Sequence, residues 1–324
     1  MRILLTPRLA PNVAEMARQA LPAGFTLTAA PDDAELVAQL PAADFLMGTA
    51  SAPFPKEAFA QMGRLKLVQL YSAGYDRIDV EAMRRLRLPV ATNGGANAIG
   101  VAEHTIMLML AVYRELTVLD GRVKSAQWRG GAIGARNYLE LTGKTVGIVG
   151  LGMIGREVAK RLSGFQTRAL YYDPVRPTAE TEAALGVSYA PLAQLLREAD
   201  VVTLHAPLLP ATERLINRES LATMKPWAIL VNCARGGLVD QAALFEALRD
   251  GRLAGAGLDV VEPEPPPADL PLLSLANVTV TPHVAGATIE GWPRRIENAY
   301  ANIQRVAAGQ KPLWVIPELR ELVE

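Results

Sequence analysis

The apolar run at residues 146–149 leads straight into Gly150-Leu151-Gly152-Met153-Ile154-Gly155, and helical spacing follows over residues 154–163. A strand that ends in G-x-G-x-x-G and opens a helix leaves few packings open to the chain. Gly150 permits the tight turn, Gly152 lets backbone come close to a pyrophosphate, and Gly155 lets the helix lie close on its strand. The helix N-terminus adds free N–H groups and the positive end of the helix dipole, which together attract phosphate. A second apolar run, 168–172, ends at Asp173, 23 residues after Gly150. An acid at that distance accepts hydrogen bonds from an adenosine ribose. Strand, glycines, helix, strand and acid in this order predict dinucleotide binding. A carboxylate repels a 2′-phosphate, so NAD is expected over NADP, with Arg176 as the nearby cation that weighs the other way.

The same alternation runs through the rest of the chain. Residues 3–5, 45–47 and 67–70 read as buried strands, and 13–20, 33–40 and 56–62 as helices, with Asp32 as the N-cap of the second. One long helix is expected over 98–118, followed by an irregular stretch, 120–140, that reads as a surface arm. After the glycine turn come strands at 201–204, 228–232, 255–259 and 278–281, with helices at 241–250 and 291–308. Alternating strands and helices make parallel sheets covered by helices. A chain of 324 residues has room for about two such domains, and no repeat argues for a solenoid.

Charge and cysteine content exclude several classes of function. Lys plus Arg and Asp plus Glu both number 33, so the basic footprint of a nucleic-acid-binding protein is missing. Cys233 is the only cysteine, which rules out an intrachain disulfide and a thiolate metal cluster; no metal is expected. The apolar stretch at 106–113 is too short to span a bilayer, and a cytoplasmic protein without membrane partners is expected.

In an open α/β sheet the ligand lies outside the carboxyl ends of the strands. Arg235 follows the strand at 228–232, Asp259 closes the next, Glu264 lies five residues on, and His283 follows the last. An arginine, two carboxylates and a histidine therefore gather at the edge that carries the glycine turn. Hydride transfer to a ketone needs these types. Arg235 offers a planar fork for a substrate carboxylate and polarises the carbonyl. His283 can protonate the forming alkoxide, and Glu264 beside it favours the imidazolium and fixes its orientation. His104 and His205 read as structural, as does Cys233. The small residues of Tyr71-Ser72-Ala73-Gly74-Tyr75 let backbone N–H groups approach an anion.

The segments Gly150 to Gly155 with Asp173, Val231-Asn232-Cys233-Ala234-Arg235-Gly236-Gly237, Gly257-Leu258-Asp259-Val260-Val261 leading to Glu264-Pro265, and Thr281-Pro282-His283-Val284-Ala285-Gly286 together resemble the D-isomer-specific 2-hydroxyacid dehydrogenases. Asn97-Ala98, Val101-Ala102-Glu103-His104 and Leu204-His205-Ala206-Pro207 fit the same pattern. The resemblance implies an α/β fold of two doubly wound parallel-sheet domains. A Rossmann NAD-binding domain, 98–286, would be inserted into a flavodoxin-like substrate domain, 1–97 and 287–324, with the active site in the cleft. It implies a homodimer built by the long helix and arm, and catalysis by Arg235, Glu264 and His283. Cofactor contacts are implied for Met153, Ile154, Asp173, Ala206, Cys233, Ala234 and Asp259, the last on the nicotinamide amide. Ser72, Ala73 and Gly74 are implied for the substrate carboxylate, alongside Arg235 and His283.

The expected activity is NAD-dependent reduction of a small 2-keto acid to a D-2-hydroxy acid. Relatives that act on phosphorylated substrates usually carry an Arg in the loop corresponding to Gly48-Thr49-Ala50-Ser51-Ala52, and none stands there. An unphosphorylated substrate is therefore expected, and no added regulatory domain for feedback by an amino acid. The rival readings are an NAD-sensing corepressor and a dehydrogenase of the same fold acting on formate, phosphite or a phosphorylated hydroxy acid.

Overall fold

In the computed structural model, which describes residues 1–50, 52–128 and 138–324, the chain divides into two units. Met1–Asn97 and Ala287–Glu324 form one, and Ala98–Gly286 is inserted between them as the other. The first unit contains β1 (Arg2–Leu5), β2 (Thr26–Ala29), β3 (Phe45–Gly48), β4 (Leu67–Leu70) and β5 (Val90–Ala91). They pair in parallel in the order β2-β1-β3-β4-β5, the flavodoxin-like winding. Helices cover the sheet. The helix Gly291–Ala307 lays Ile296, Ala299, Tyr300 and Ile303 on Ile3, Phe45 and Tyr71.

The second unit contains β6 (Thr145–Val149), β7 (Arg168–Tyr172), β8 (Val187–Tyr189), β9 (Val201–Leu204), β10 (Ile229–Asn232), β11 (Gly255–Leu258) and β12 (Val278–Val280). Their order, β12-β11-β10-β9-β6-β7-β8, reverses between β6 and β9, as in a Rossmann sheet. Strands β9, β10 and β11 are buried along their whole length, because helices lie on both faces of a parallel sheet. That is why they read as unbroken apolar runs rather than as alternating patterns.

The boundaries differ from expectation in a few places. The helix expected over 98–118 ends at Tyr113, and a second helix, Leu116–Lys124, follows. Glu115 at the break has φ +48°, a left-handed conformation that no helix-breaking residue announces. β2 is partly exposed and β5 is two residues long, so neither stands out as an apolar run. The arm residues at 129–137 lie outside the described residues.

Asp200, almost fully buried, joins three central strands of the second unit. It precedes β9, accepts the Thr145 N–H at the start of β6 at 2.9 Å, and accepts Lys225 and the Trp227 indole N–H ahead of β10 at 2.8 and 3.0 Å. Burial alone raises its carboxyl. The bonds from Lys225, Thr145 and Trp227 outweigh that and hold it below the ordinary Asp range. Since the folded value lies below the unfolded one, this stabilisation is present at neutral pH and lost as the pH falls through the folded value. Asp200→Asn should cost about 1–3 kcal/mol at neutral pH, the usual range for a charged hydrogen-bonded group. The gap to wild type should close on acidification. Urea unfolding of both proteins at neutral and acid pH checks this; a gap that does not change with pH contradicts it.

Candidate active site

The glycine turn forms at the point where β6 and β9 part. Gly150 has φ +96°, and a Cβ there would lie 2.8 Å from the His205 carbonyl and 2.9 Å from the Ala206 nitrogen. A Cβ on Gly155 would meet the Gly150 carbonyl oxygen at 2.1 Å, so only glycine lets the helix Met153–Leu162 start this close to its strand. Gly152, its N-cap, faces open space and supplies no side-chain cap. The first N–H groups of that helix are thus left for an anionic ligand. Met153 is exposed, and Ile154 packs partly against the core. Asp173 follows β7, and its carboxylate accepts the Leu151 N–H at 2.8 Å and the Val175 N–H at 2.9 Å. Those bonds fix the acid beside the glycine turn, with lone pairs left for ribose hydroxyls. The residues present fit a nicotinamide dinucleotide.

The titratable residues sit on the ends of β10, β11 and β12, along the same edge. Asn232 closes β10; its amide donates to the Arg235 carbonyl at 2.8 Å, and its side-chain oxygen accepts the Ala234 N–H at 3.0 Å. This Asx turn presents Arg235, whose guanidinium donates to the Ala234 carbonyl at 2.7 Å. Gly236 then packs against Val261, where a Cβ would lie 2.3 Å from the carbonyl oxygen, and so draws the Arg235 turn toward the Glu264 loop.

His283 Nδ1 and Glu264 Oε2 are 2.7 Å apart, and the His283 side chain remains half exposed. Burial by itself raises the Glu264 carboxyl. The His283 hydrogen bond and charge, the Val261 N–H and the Arg235 charge outweigh it and hold Glu264 below the usual Glu range. His283 has φ +53°, a costly backbone for a residue with a Cβ. Its turn is held by Asp259, which is 1% exposed. The Asp259 carboxylate accepts the Thr281 hydroxyl at 2.6 Å and the Val284 and Ala285 N–H groups at 3.0 and 2.8 Å, while its carbonyl accepts the His283 N–H at 2.8 Å. His104 Nε2 completes the network, 2.8 Å from the Thr281 hydroxyl.

The structure therefore brings together Arg235, Glu264, His283 and Asp259 on one sheet edge. His205 is buried, its Nε2 2.9 Å from the Thr203 hydroxyl, and burial pushes its pKa down to about 3, so it is neutral. Ser72, Ala73 and Gly74 lie in the first unit, after β4. The Ser72 hydroxyl donates to the Gly74 carbonyl at 2.7 Å, and Asn93 holds the loop through the Ser72 and Tyr71 carbonyls. Asn232 and Thr281 escaped sequence reasoning as positioning residues; an Asn ending a strand is the one signal that could have found the first. Among the described residues no group of three or more His, Cys, Asp or Glu is placed to hold a metal ion, and no helix is long and apolar enough to cross a membrane.

The model of the D-isomer specific 2-hydroxyacid dehydrogenase NAD binding domain matches residues 106–285. The chain is 39% identical to a glyoxylate reductase of Korarchaeum cryptofilum over 88% of its own length and 86% of that protein's. The chain belongs to the D-isomer specific 2-hydroxyacid dehydrogenase family. It is also 38% identical to a D-3-phosphoglycerate dehydrogenase of Methanocaldococcus jannaschii, over 85% of this chain and 52% of that one. Among solved structures, it is similar to the NADPH-dependent glyoxylate/hydroxypyruvate reductase of Sinorhizobium meliloti in complex with NADP and malonate. There the TM-score is 0.84 at 28% identity, covering 98% of this chain and 97% of that one. Family membership makes this an oxidoreductase that uses a nicotinamide cofactor on small hydroxy or keto acids.

Cys233 lies between Asn232 and Ala234, at the end of β10. Burial, with the Asp259 charge, outweighs a hydrogen bond to Thr105 and pushes its thiol up to about 12. A protonated, buried thiol is a poor nucleophile. A thiol reagent such as dithionitrobenzoate should leave the native protein unlabelled at mildly alkaline pH and label one thiol per chain after unfolding. Rapid labelling of the native protein would contradict the inert assignment.

Proposed function

We propose that the protein reduces a small, unphosphorylated 2-keto acid to the D-2-hydroxy acid with NADH. The observation that carries this reading is the 2.7 Å contact of His283 with Glu264, on the edge that presents Arg235 and the uncapped helix at Gly152. When bound, the reduced nicotinamide supplies a hydride. Arg235 pairs with the substrate carboxylate and polarises the carbonyl, since its fork matches a carboxylate. Glu264 accepts a hydrogen bond from Nδ1 of protonated His283, which directs Nε2 to the carbonyl oxygen. His283 Nε2 releases its proton there as the hydroxyl forms, and the ion pair with Glu264 is reduced to a neutral hydrogen bond. We assign the N–H groups of Ser72–Gly74 to the substrate carboxylate as well. Backbone near Ala206, Cys233 and Ala234, and the polar groups at Asp259, are assigned to the cofactor.

Three features support the finer choices. The Asp173 carboxylate stands where a 2′-phosphate would meet it, which favours NAD. The loop at 48–52 brings no cation of its own. Arg8, which lines a small cavity with Thr49 and Ala52, is paired with Asp33 at 2.6 Å. Arg129 and Arg136 of the arm lie outside the described residues. Ile99, Met107, Leu116 and Val123 are large apolar side chains left 40–55% exposed on the helices Ala98–Tyr113 and Leu116–Lys124. Such a surface fits the face of a homodimer, and we assign the protein to the cytoplasm.

His283→Ala should lower kcat for keto-acid reduction by about 10²–10⁴-fold while leaving NADH affinity largely unchanged. A fall below threefold, roughly 0.6 kcal/mol in barrier, sinks the acid assignment. Hydroxypyruvate should be a better substrate by kcat/KM than its 3-phosphate. The reverse order would support the phosphorylated substrate of the phosphoglycerate dehydrogenase relatives. Turnover of no 2-keto acid, together with NADH binding, would support a sensor instead.

A further inference from the structure

Arg176 is three residues beyond the ribose-binding acid, in a loop stiffened by Pro174 and Pro177. Its guanidinium is not turned toward Asp173. It lies over the Tyr189 ring, 4.5 Å from the centroid, and its Nη2 donates to Glu182 Oε1 at 2.9 Å. Glu182 belongs to the helix Ala179–Leu185 and is itself held from the sheet side, because the Tyr171 hydroxyl of β7 donates to the same Oε1. Tyr171 and Tyr189 pack edge to face, with centroids 5.6 Å apart at 73°. Meanwhile the Asp173 carboxylate accepts the Leu151 N–H of the glycine turn and the Val175 N–H of its own loop. The acid and the arginine that follow β7 are thus held by different partners.

We propose that Glu182 sets cofactor preference by holding Arg176 on Tyr189, away from the position a 2′-phosphate would take beside Asp173. This rests on the reading that the glycine turn and Asp173 bind the adenosine half of the cofactor. A 2′-phosphate is excluded by Asp173 and also left without the one cation of its loop. Arginine is the side chain best suited to phosphate, so keeping it committed adds to the exclusion by the acid. The latch is an exposed ion pair with a stacked cation. Each of those is worth little alone, so its release should change affinity by about three- to tenfold rather than by orders of magnitude. Glu182 is a positioning residue here, since it acts only through Arg176.

The test is equilibrium binding, read by titration calorimetry with NADH and NADPH on the full chain. Wild type should favour NADH. Glu182→Gln should tighten NADPH about three- to tenfold and leave NADH within about twofold. Arg176→Ala should leave both affinities within about twofold, and the double variant should lose the gain of Glu182→Gln, as a coupled pair requires. Glu182→Asp, which keeps the charge near Tyr171 but shortens the reach to Arg176, should move NADPH affinity in the same direction, and thermal melting shows whether each variant is folded. An unchanged ratio in folded Glu182→Gln, or a gain that survives removal of Arg176, overturns the latch while leaving the NAD reading standing. Weakened NADPH binding in Arg176→Ala shows that Arg176 already reaches the phosphate, and overturns it too. If wild type binds neither nucleotide, the reading beneath the proposal fails and the proposal fails with it.

Discussion

The approach of the helix Met153–Leu162 to its strand is the contact on which the nucleotide-facing edge depends. At Gly155 a single methyl group would sit 2.1 Å from the Gly150 carbonyl oxygen, well inside van der Waals contact. Backbone therefore packs on backbone, and the helix N-terminus comes out beside the ends of β6 and β9. That placement aims its free N–H groups outward and puts Leu151 where it can bind Asp173. A larger residue at Gly155 would push the helix outward and move together its N-terminus and Asp173, the groups proposed to face phosphate and ribose. The neighbouring strand is tied into the same arrangement, because Gly150 is pressed against His205 and Ala206.

The edge proposed to carry the reaction uses a second device. Arg235, Glu264 and His283 are on loops, and loops hold side chains loosely unless buried groups pin them. Here the pins are Asn232, at 1% exposure, and Asp259, equally buried. Each uses its side chain to satisfy backbone groups that would otherwise be orphaned by a turn. The cost of leaving a buried carboxylate unpaired makes the Asp259 network stiff, and that stiffness sustains the positive φ at His283. Strain at the histidine is borne by a group that does not itself need to react.

Much of this was legible in the sequence, for identifiable reasons. β9, β10 and β11 are buried on both faces, so their apolar runs are unbroken and their ends mark the ligand edge. The glycine positions carry steric information that no other residue type can carry. Arg235, Glu264 and His283 are the charged or titratable residues at those ends, which is where the structure places them. What stayed hidden depends on tertiary pairing. The break at Glu115 has no glycine or proline to announce it. The pairing of Arg176 with Glu182 links a loop to the following helix through Tyr171 and Tyr189, a contact no spacing rule describes. The pairing of Arg8 with Asp33 likewise joins the loop after β1 to the helix Asp33–Gln39.

Asp259 and Glu264, five residues apart on the same loop, illustrate how environment divides labour between like groups. Asp259 accepts two N–H groups and a hydroxyl and has almost no contact with solvent. A carboxylate so engaged cannot follow a change of charge on its neighbour without breaking the turn, so it serves best as a fixed anchor. Glu264 remains over a quarter exposed, with His283 as its main partner and a long bond from Val261. It can strengthen its hydrogen bond when the imidazole is charged and relax it when the proton leaves, and water can screen what remains. In the proposed reaction the residue that responds to proton transfer is the exposed one, and the residue that must not move is the buried one.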